Sequence, residues 1–171
     1  MSRVVTGRAR VLGDAVNTDY IIASSRKRES LDPEDLRHFL LEAVDPHFAA
    51  SVREGDILVA GEAFGTGSAM EVAVTVVQAA GIEAVVARSF SRTWFRNAIN
   101  NGLLPVECDT RGVTEGERIR IEVDERGTRV VDEAGRARPA RPLDPFVRSV
   151  LDAGGLVPFL RDGPGFESPT P

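Results

Sequence analysis

"DILVAGEAFGTGSAMEVAVTVVQAAGIEAVVARSF", residues 56 to 90, is the stretch whose reading decides the fold. "DILVAG" (56–61) reads as a short apolar strand that runs directly into a loop holding Gly65 and Gly67. "EVAVTVVQAAG" then reads as a helix despite its β-branched residues. Gly81 is a natural left-handed terminator, and the strand-like "EAVVARSF" follows at once. Strand, helix, strand is a parallel crossover unit. The chain is therefore expected to be α/β, with a mixed sheet and flanking helices.

Working outward, "RTWFRNAINNG" (92–102) predicts another helix ended by Gly102, and "LLPVECD" the next short strand. "ERIRIEVDERGTRVVDEAGR" alternates polar and apolar residues across Arg126-Gly127, the signature of a hairpin. A last helix is predicted from Asp144-Pro145 to Gly154-Gly155. On the amino-terminal side, "RARVLG" reads as a strand. In "LDPEDLRHFLLEAVDP" Asp32 is a candidate N-cap and Pro33 a first helical residue, with Leu36, Phe39, Leu40 and Ala43 at helical spacing. That predicts one amphipathic helix, followed by a shorter turn containing Phe48 and Val52. "SSRKRES" reads as a Ser-rich loop carrying Arg26, Lys27 and Arg28. Residues 1–160 are expected to form one domain. The tail "RDGPGFESPTP" (161–171) is too rich in Gly, Pro and Ser to pack, and disorder is expected there.

Composition narrows the function. With 42% hydrophobic and 27% charged residues in a 171-residue chain, a folded core is within reach. The formal net charge of -5 argues against nucleic acid as a partner, because affinity for a phosphate backbone rests on surplus Lys and Arg. One cysteine, Cys108, cannot by itself close an internal disulfide, hold an iron-sulfur cluster or build a structural zinc site. A metal used in the chemistry is thus expected outside this chain. No apolar run reaches the length of a signal peptide or a membrane span, so no membrane partner is expected and the cytoplasm is the default location.

Chemistry concentrates in the loop. Ser68-Ala69-Met70-Glu71 fits a capping box, in which the serine oxygen takes the N–H three residues on and the glutamate reaches back. That reading explains both residues without a ligand. It leaves unexplained Gly65 and Gly67, which allow positive φ and leave peptide N–H groups open beside a helix start, a setting that suits a carboxylate or phosphate. Neither a Walker lysine nor a dinucleotide fingerprint accompanies them. Arg92 and Arg96 lie one helical turn apart and could share a carboxylate, although spacing alone favours a solvated helix face. His38 and His47 have no evident acid-base partner, and Cys108 reads as packing rather than as a nucleophile.

Taken together, "GDAVNTDYII", "DPHFAASVREGDILVAGEAFGTGS" and "AVVARSFSRTWFRNAINNGLLPVEC" resemble the small subunits of 3-isopropylmalate dehydratase and the related homoaconitases over roughly residues 5 to 110. The resemblance implies the swivelling β/β/α domain of the aconitase superfamily. It also implies a heterodimer with a large subunit that carries a [4Fe-4S] cluster, and a small hydroxy di- or tricarboxylate as substrate. In such lyases water leaves a 2-hydroxy acid and returns with the hydroxyl on the neighbouring carbon. The small subunit supplies the serine that takes the carbon-bound proton.

The family loop reads Gly-x-Gly-Ser-Ser-Arg-Glu-His-Ala, and the matching stretch here is Gly65-Thr66-Gly67-Ser68-Ala69-Met70-Glu71-Val72-Ala73. By resemblance Ser68 is the catalytic residue, and Gly65, Thr66, Gly67, Ala69 and Met70 line the substrate. Three polar positions differ. The second serine is Ala69, the histidine is Val72, and the arginine that binds a substrate carboxylate is Met70. Losing such a charged hydrogen bond typically costs about 2 to 5 kcal/mol. Arg26 and Lys27, in the segment that the family uses to read the substrate's variable group, and Arg96 are the candidates to replace it.

Overall fold

The computed structural model describes residues 2 to 163. In chain order the elements are β1 (Arg3–Val11), α1 (Thr18–Ile21), α2 (Ser24–Glu29), α3 (Pro33–Leu36), α4 (Phe48–Ser51), β2 (Ile57–Ala60), α5 (Val72–Ala79), β3 (Ala84–Ala87), α6 (Arg92–Asn100), β4 (Leu104–Glu107), β5 (Arg118–Asp124), β6 (Gly127–Val131), β7 (Ala137–Ala140), α7 (Pro145–Asp152) and α8 (Leu156–Asp162). The predicted crossover forms as β2, α5 and β3, with β2 and β3 parallel from Ile57↔Ala84 to Ala60↔Ala87. Every residue of both strands is buried, because helices or strands cover both faces of this part of the sheet.

Seven strands lie in the order β4-β3-β2-β1-β5-β6-β7. From β1 to β4 the pairings are parallel, whereas β1 to β5, β5 to β6 and β6 to β7 are antiparallel. One core, containing Leu58, Ala60, Val85, Ala87 and Trp94, fills the face under α5 and α6. The opposite face builds a second core around Ile57, Val59, Val86, Val106 and Ile121, closed by Val150 and Leu151 of α7 and Phe159 of α8. An antiparallel bridge from Cys108, just past β4, to Ala140 of β7 brings the two ends of the strand order together around this second core. The loops leaving the carboxyl ends of β1, β2 and β3 stand side by side at one end of the parallel half, the end where open α/β sheets bind ligands.

The structure corrects the sequence reading in several places. The single helix predicted across 31–46 stops at Leu36, continues as one 3-10 turn, Arg37–Phe39, and breaks at Leu41, which has φ 56. Asp32 does cap it, accepting from Glu34 N at 2.9 Å. Leu40 and Leu41 are both fully buried, and neighbouring residues cannot both point along one narrow helix face. The chain turns instead, and Leu41 N–H donates to Ile21 O. "SSRKRES" is helical through Ser24–Glu29 rather than a loop. β7 and α8 were not predicted; α8 runs through Asp162, past the expected domain limit at 160. Residues 164–171 of the expected tail lie outside the described residues.

Candidate active site

The loop from Gly61 to Glu71 joins β2 to α5, and its first half is fastened on three sides. Phe64 forms a parallel bridge to Phe90, with Phe64 N–H donating to Ser89 O and Ser91 N–H to Phe64 O. Ser91 Oγ donates to Gly65 O at 2.7 Å while also capping α6 at Trp94 N. Toward β1, Gly65 N–H donates to Val16 O and Thr18 N–H to Thr66 O, both at 2.8 Å. Asp14 Oδ1 accepts from Glu62 N and from Arg88 Nη2, each at 2.7 Å, and these two donors hold its carboxyl below the usual range.

Beneath this half lies an aromatic cluster. Phe90 and Trp94 stack with centroids 5.6 Å apart, and Phe64 meets Trp94 edge-on at 4.8 Å. Trp94 Nε1–H donates to Ala73 O, tying α6 to the first turn of α5. Gly65 has φ +81, and a β-carbon there would collide with Cβ and Cγ of Trp94. Only glycine satisfies both the conformation and the contact.

Past Gly67, which has φ +104, the loop changes character: Gly67 through Glu71 are exposed. The expected capping box does not form. The residue preceding α5 is Glu71 in helical conformation, with no side-chain cap, and among the described residues neither the Ser68 nor the Glu71 side chain makes a hydrogen bond. Ser68 stands four residues ahead of the helix, too early to be its cap. Ala69 and Met70 continue the exposed run, Met70 at 36% exposure. The loop is thus a rigid glycine frame carrying a free hydroxyl at the carboxyl end of a buried strand.

Three other candidates have separate surroundings. Arg26 is bound to Glu42 through Nε at 2.8 Å and Nη2 at 3.1 Å, and its guanidinium lies 3.8 Å over the Phe39 ring. Lys27 is 8% exposed and faces Asp19 at 3.4 Å. Each of these two candidates for a substrate carboxylate already faces an acidic side chain of this chain. Arg96 shares a cleft of about 420 Å³ with Arg92, Arg141, Phe90, Phe95 and Glu107. Arg92 and Arg96 have no ion-pair partner among the described residues. Arg92 directly follows Ser91, whose Oγ donates to Gly65 O, and no residue of the loop itself lines the cleft.

The remaining reactive groups are inert or isolated. Burial pushes the Cys108 thiol up to about 11, too high for a nucleophile at neutral pH. His38 and His47 are exposed, the first in the 3-10 turn and the second just ahead of α4. Among the described residues no cluster of three or more His, Cys, Asp or Glu could hold a metal ion, and no helix is long and apolar enough to cross a membrane.

Comparison with known proteins agrees with this architecture. The model of the aconitase C-terminal domain matches residues 17–111, which places the fold in the aconitase-type swivelling class. The solved structure of a 3-isopropylmalate dehydratase from Methanocaldococcus jannaschii superposes with a TM-score of 0.85 at 37% identity, covering 94% of this chain and 95% of that one. An aconitase X from Thermococcus kodakaraensis, at 16% identity and a TM-score of 0.50, shares the fold alone. In sequence, the 3-isopropylmalate dehydratase small subunit 1 of Methanopyrus kandleri is 44% identical over 96% of this chain and 97% of its own length. The methanogen homoaconitase small subunit of Methanocaldococcus jannaschii is 38% identical over 92% of each. The chain belongs to the family of 3-isopropylmalate dehydratase-type hydro-lyase small subunits.

Proposed function

We propose that this chain works as the small subunit of a heterodimeric hydro-lyase that dehydrates and rehydrates a hydroxy di- or tricarboxylate, with Ser68 as the base. The observation that carries this reading is the contrast within one loop, where a fastened glycine frame presents an exposed serine hydroxyl with no hydrogen-bond partner among the described residues. A serine oxygen removes a carbon-bound proton only when its negative charge is stabilised. The Ala73 and Val74 N–H groups in the first turn of α5 are taken by Met70 O and Glu71 O, and the absence of a side-chain capping bond leaves Ser68 available for that task. In this reading the [4Fe-4S] cluster belongs to the large subunit and supplies Lewis-acid activation of the departing hydroxyl when bound.

Met70 bears on the substrate. It puts an apolar, polarizable side chain where the family loop has a carboxylate-binding arginine, so the acid is proposed to differ from isopropylmalate in that contact. Arg26 and Lys27 already hold Glu42 and Asp19, which favours the Arg92 and Arg96 pair as the replacement clamp.

A second reading, a paralogue that docks a large subunit without catalysis, draws on the three altered positions Ala69, Met70 and Val72. One experiment separates the two. The chain is co-purified with a candidate large subunit, the cluster is reconstituted anaerobically, and alkene absorbance is followed with 2- and 3-isopropylmalate, citramalate and homocitrate. The catalytic reading expects turnover that drops about 10²- to 10⁴-fold in Ser68→Ala, with the melting temperature unchanged. Turnover retained by Ser68→Ala refutes the base assignment, and a stable complex with an intact cluster and no turnover selects the paralogue.

A further inference from the structure

Thr18 begins α1 and is 1% exposed, and its Oγ1 is the buried side-chain polar atom without a hydrogen-bond partner among the described residues. The hydroxyl has no folding duty that accounts for it. Asn17 already caps α1, its Oδ1 accepting from Tyr20 N at 2.9 Å. The Thr18 N–H is bonded to Thr66 O and the Thr18 carbonyl accepts from Ile22 N–H. Valine has the same shape without the polar atom, and burying an unpaired hydroxyl costs stability.

The position of the hydroxyl suggests its use. A β-carbon placed on Gly67 would come within 3.0 Å of Thr18 Oγ1, so this atom lies against the residue immediately before Ser68. Gly67 also marks the boundary where the fastened half of the loop gives way to the exposed half. A hydroxyl both donates and accepts, and it can therefore take either the N–H or the carbonyl that a small rotation of the Gly67–Ser68 peptide would present. Glycine at 67, with no side chain, permits both that rotation and the close approach.

We propose that Thr18 is the positioning residue of the Ser68 loop: on docking of the large subunit its hydroxyl hydrogen-bonds the Gly67–Ser68 backbone and fixes the direction of Ser68 Oγ. The proposal rests on Ser68 being the site base. It explains why the polar atom is kept at a place where the free chain is destabilised by it, and it gives opposite signs to stability and rate.

The test compares wild type, Thr18→Val and Thr18→Ser, each alone and in complex with the cluster-loaded large subunit. Thr18→Val is expected to melt at the same or a higher temperature as the free chain. In the complex it should lose up to about 100-fold in kcat, with KM little changed, because a misdirected base harms the chemical step rather than binding. Thr18→Ser keeps the hydroxyl and should recover most of kcat. Hydrogen exchange of residues 67–71 provides a second readout that needs no turnover: docking should protect this segment in wild type and Thr18→Ser but not in Thr18→Val. Unchanged kcat in Thr18→Val, or equal protection in all three complexes, overturns the proposal. A silent wild-type complex would instead count against the catalytic reading, and the exchange comparison would still decide the role of Thr18.

Discussion

The two halves of the loop between β2 and α5 are six and five residues long and differ in almost every physical respect. From Gly61 to Thr66 the main chain is bonded to the loops after β1 and β3, and an aromatic cluster supports it from below. From Gly67 to Glu71 the side chains are exposed, and those of Ser68 and Glu71 have no hydrogen-bond partner among the described residues. Under the proposed role of Ser68 as a base, the difference separates two tasks of one loop. A base has to be held to within a fraction of an ångström, which calls for a rigid support. It must also keep its hydroxyl free of its own chain, so that substrate or the partner subunit can use it.

The comparison breaks most severely at Gly65. Gly65→Ala places a side chain at φ +81 and against Trp94 Cβ and Cγ, combining backbone strain with overpacking. The expected loss is about 2 to 6 kcal/mol, read as a fall in urea midpoint with loss of turnover in the assembled enzyme. A variant as stable as wild type would mean that the support is not rigid.

Asp14 offers a milder and pH-dependent cut through the same half. The bonds from Glu62 N–H and Arg88 hold its folded pKa below the unfolded value, so its contribution is complete above about pH 4 and disappears as the pH falls through the lower folded pKa. Asp14→Asn should therefore melt somewhat below wild type at pH 6, and the gap should shrink as both are acidified below pH 4. A gap that is constant with pH would show that the carboxylate charge is not what fastens Glu62.

Legibility in the sequence follows the same division between local and distant causes. β2 and β3 were readable because strands buried on both faces must be apolar throughout. Residues 31–46 misled because Leu36, Phe39 and Leu40 satisfy helical spacing. The break comes from Leu41, whose N–H finds Ile21, twenty residues earlier. α2 was hidden in a polar run because it is held by Glu42 and Phe39, which no local pattern announces. β7 contains Pro139, a residue compatible with an edge strand but not diagnostic of one. In the site, the glycines and Ser68 were singled out through resemblance, and their role is the one proposed above. That Arg26 and Lys27 are already paired, and that Thr18 is not, depends on three-dimensional neighbours alone.

The smallest effect is the sharpest test of the open half. Ser-x-x-Glu ahead of an apolar helix is the sequence form of a capping box, and a formed box would make Glu71→Ala cost roughly 0.5 to 2 kcal/mol. Here Glu71 is itself the residue before α5 and its side chain caps nothing, while Ser68 lies outside the helix. Glu71→Ala is accordingly expected to change stability by no more than about 0.5 kcal/mol, the range for a surface position with no such feature. Ser68→Ala should behave alike in the free chain, and a double variant should be additive, because two side chains that do not touch have no coupling to lose. A measurable coupling between them would mean that the box closes in solution and that the serine oxygen is occupied. Its absence leaves that oxygen unengaged, the condition that the role proposed for Ser68 requires before a large subunit docks.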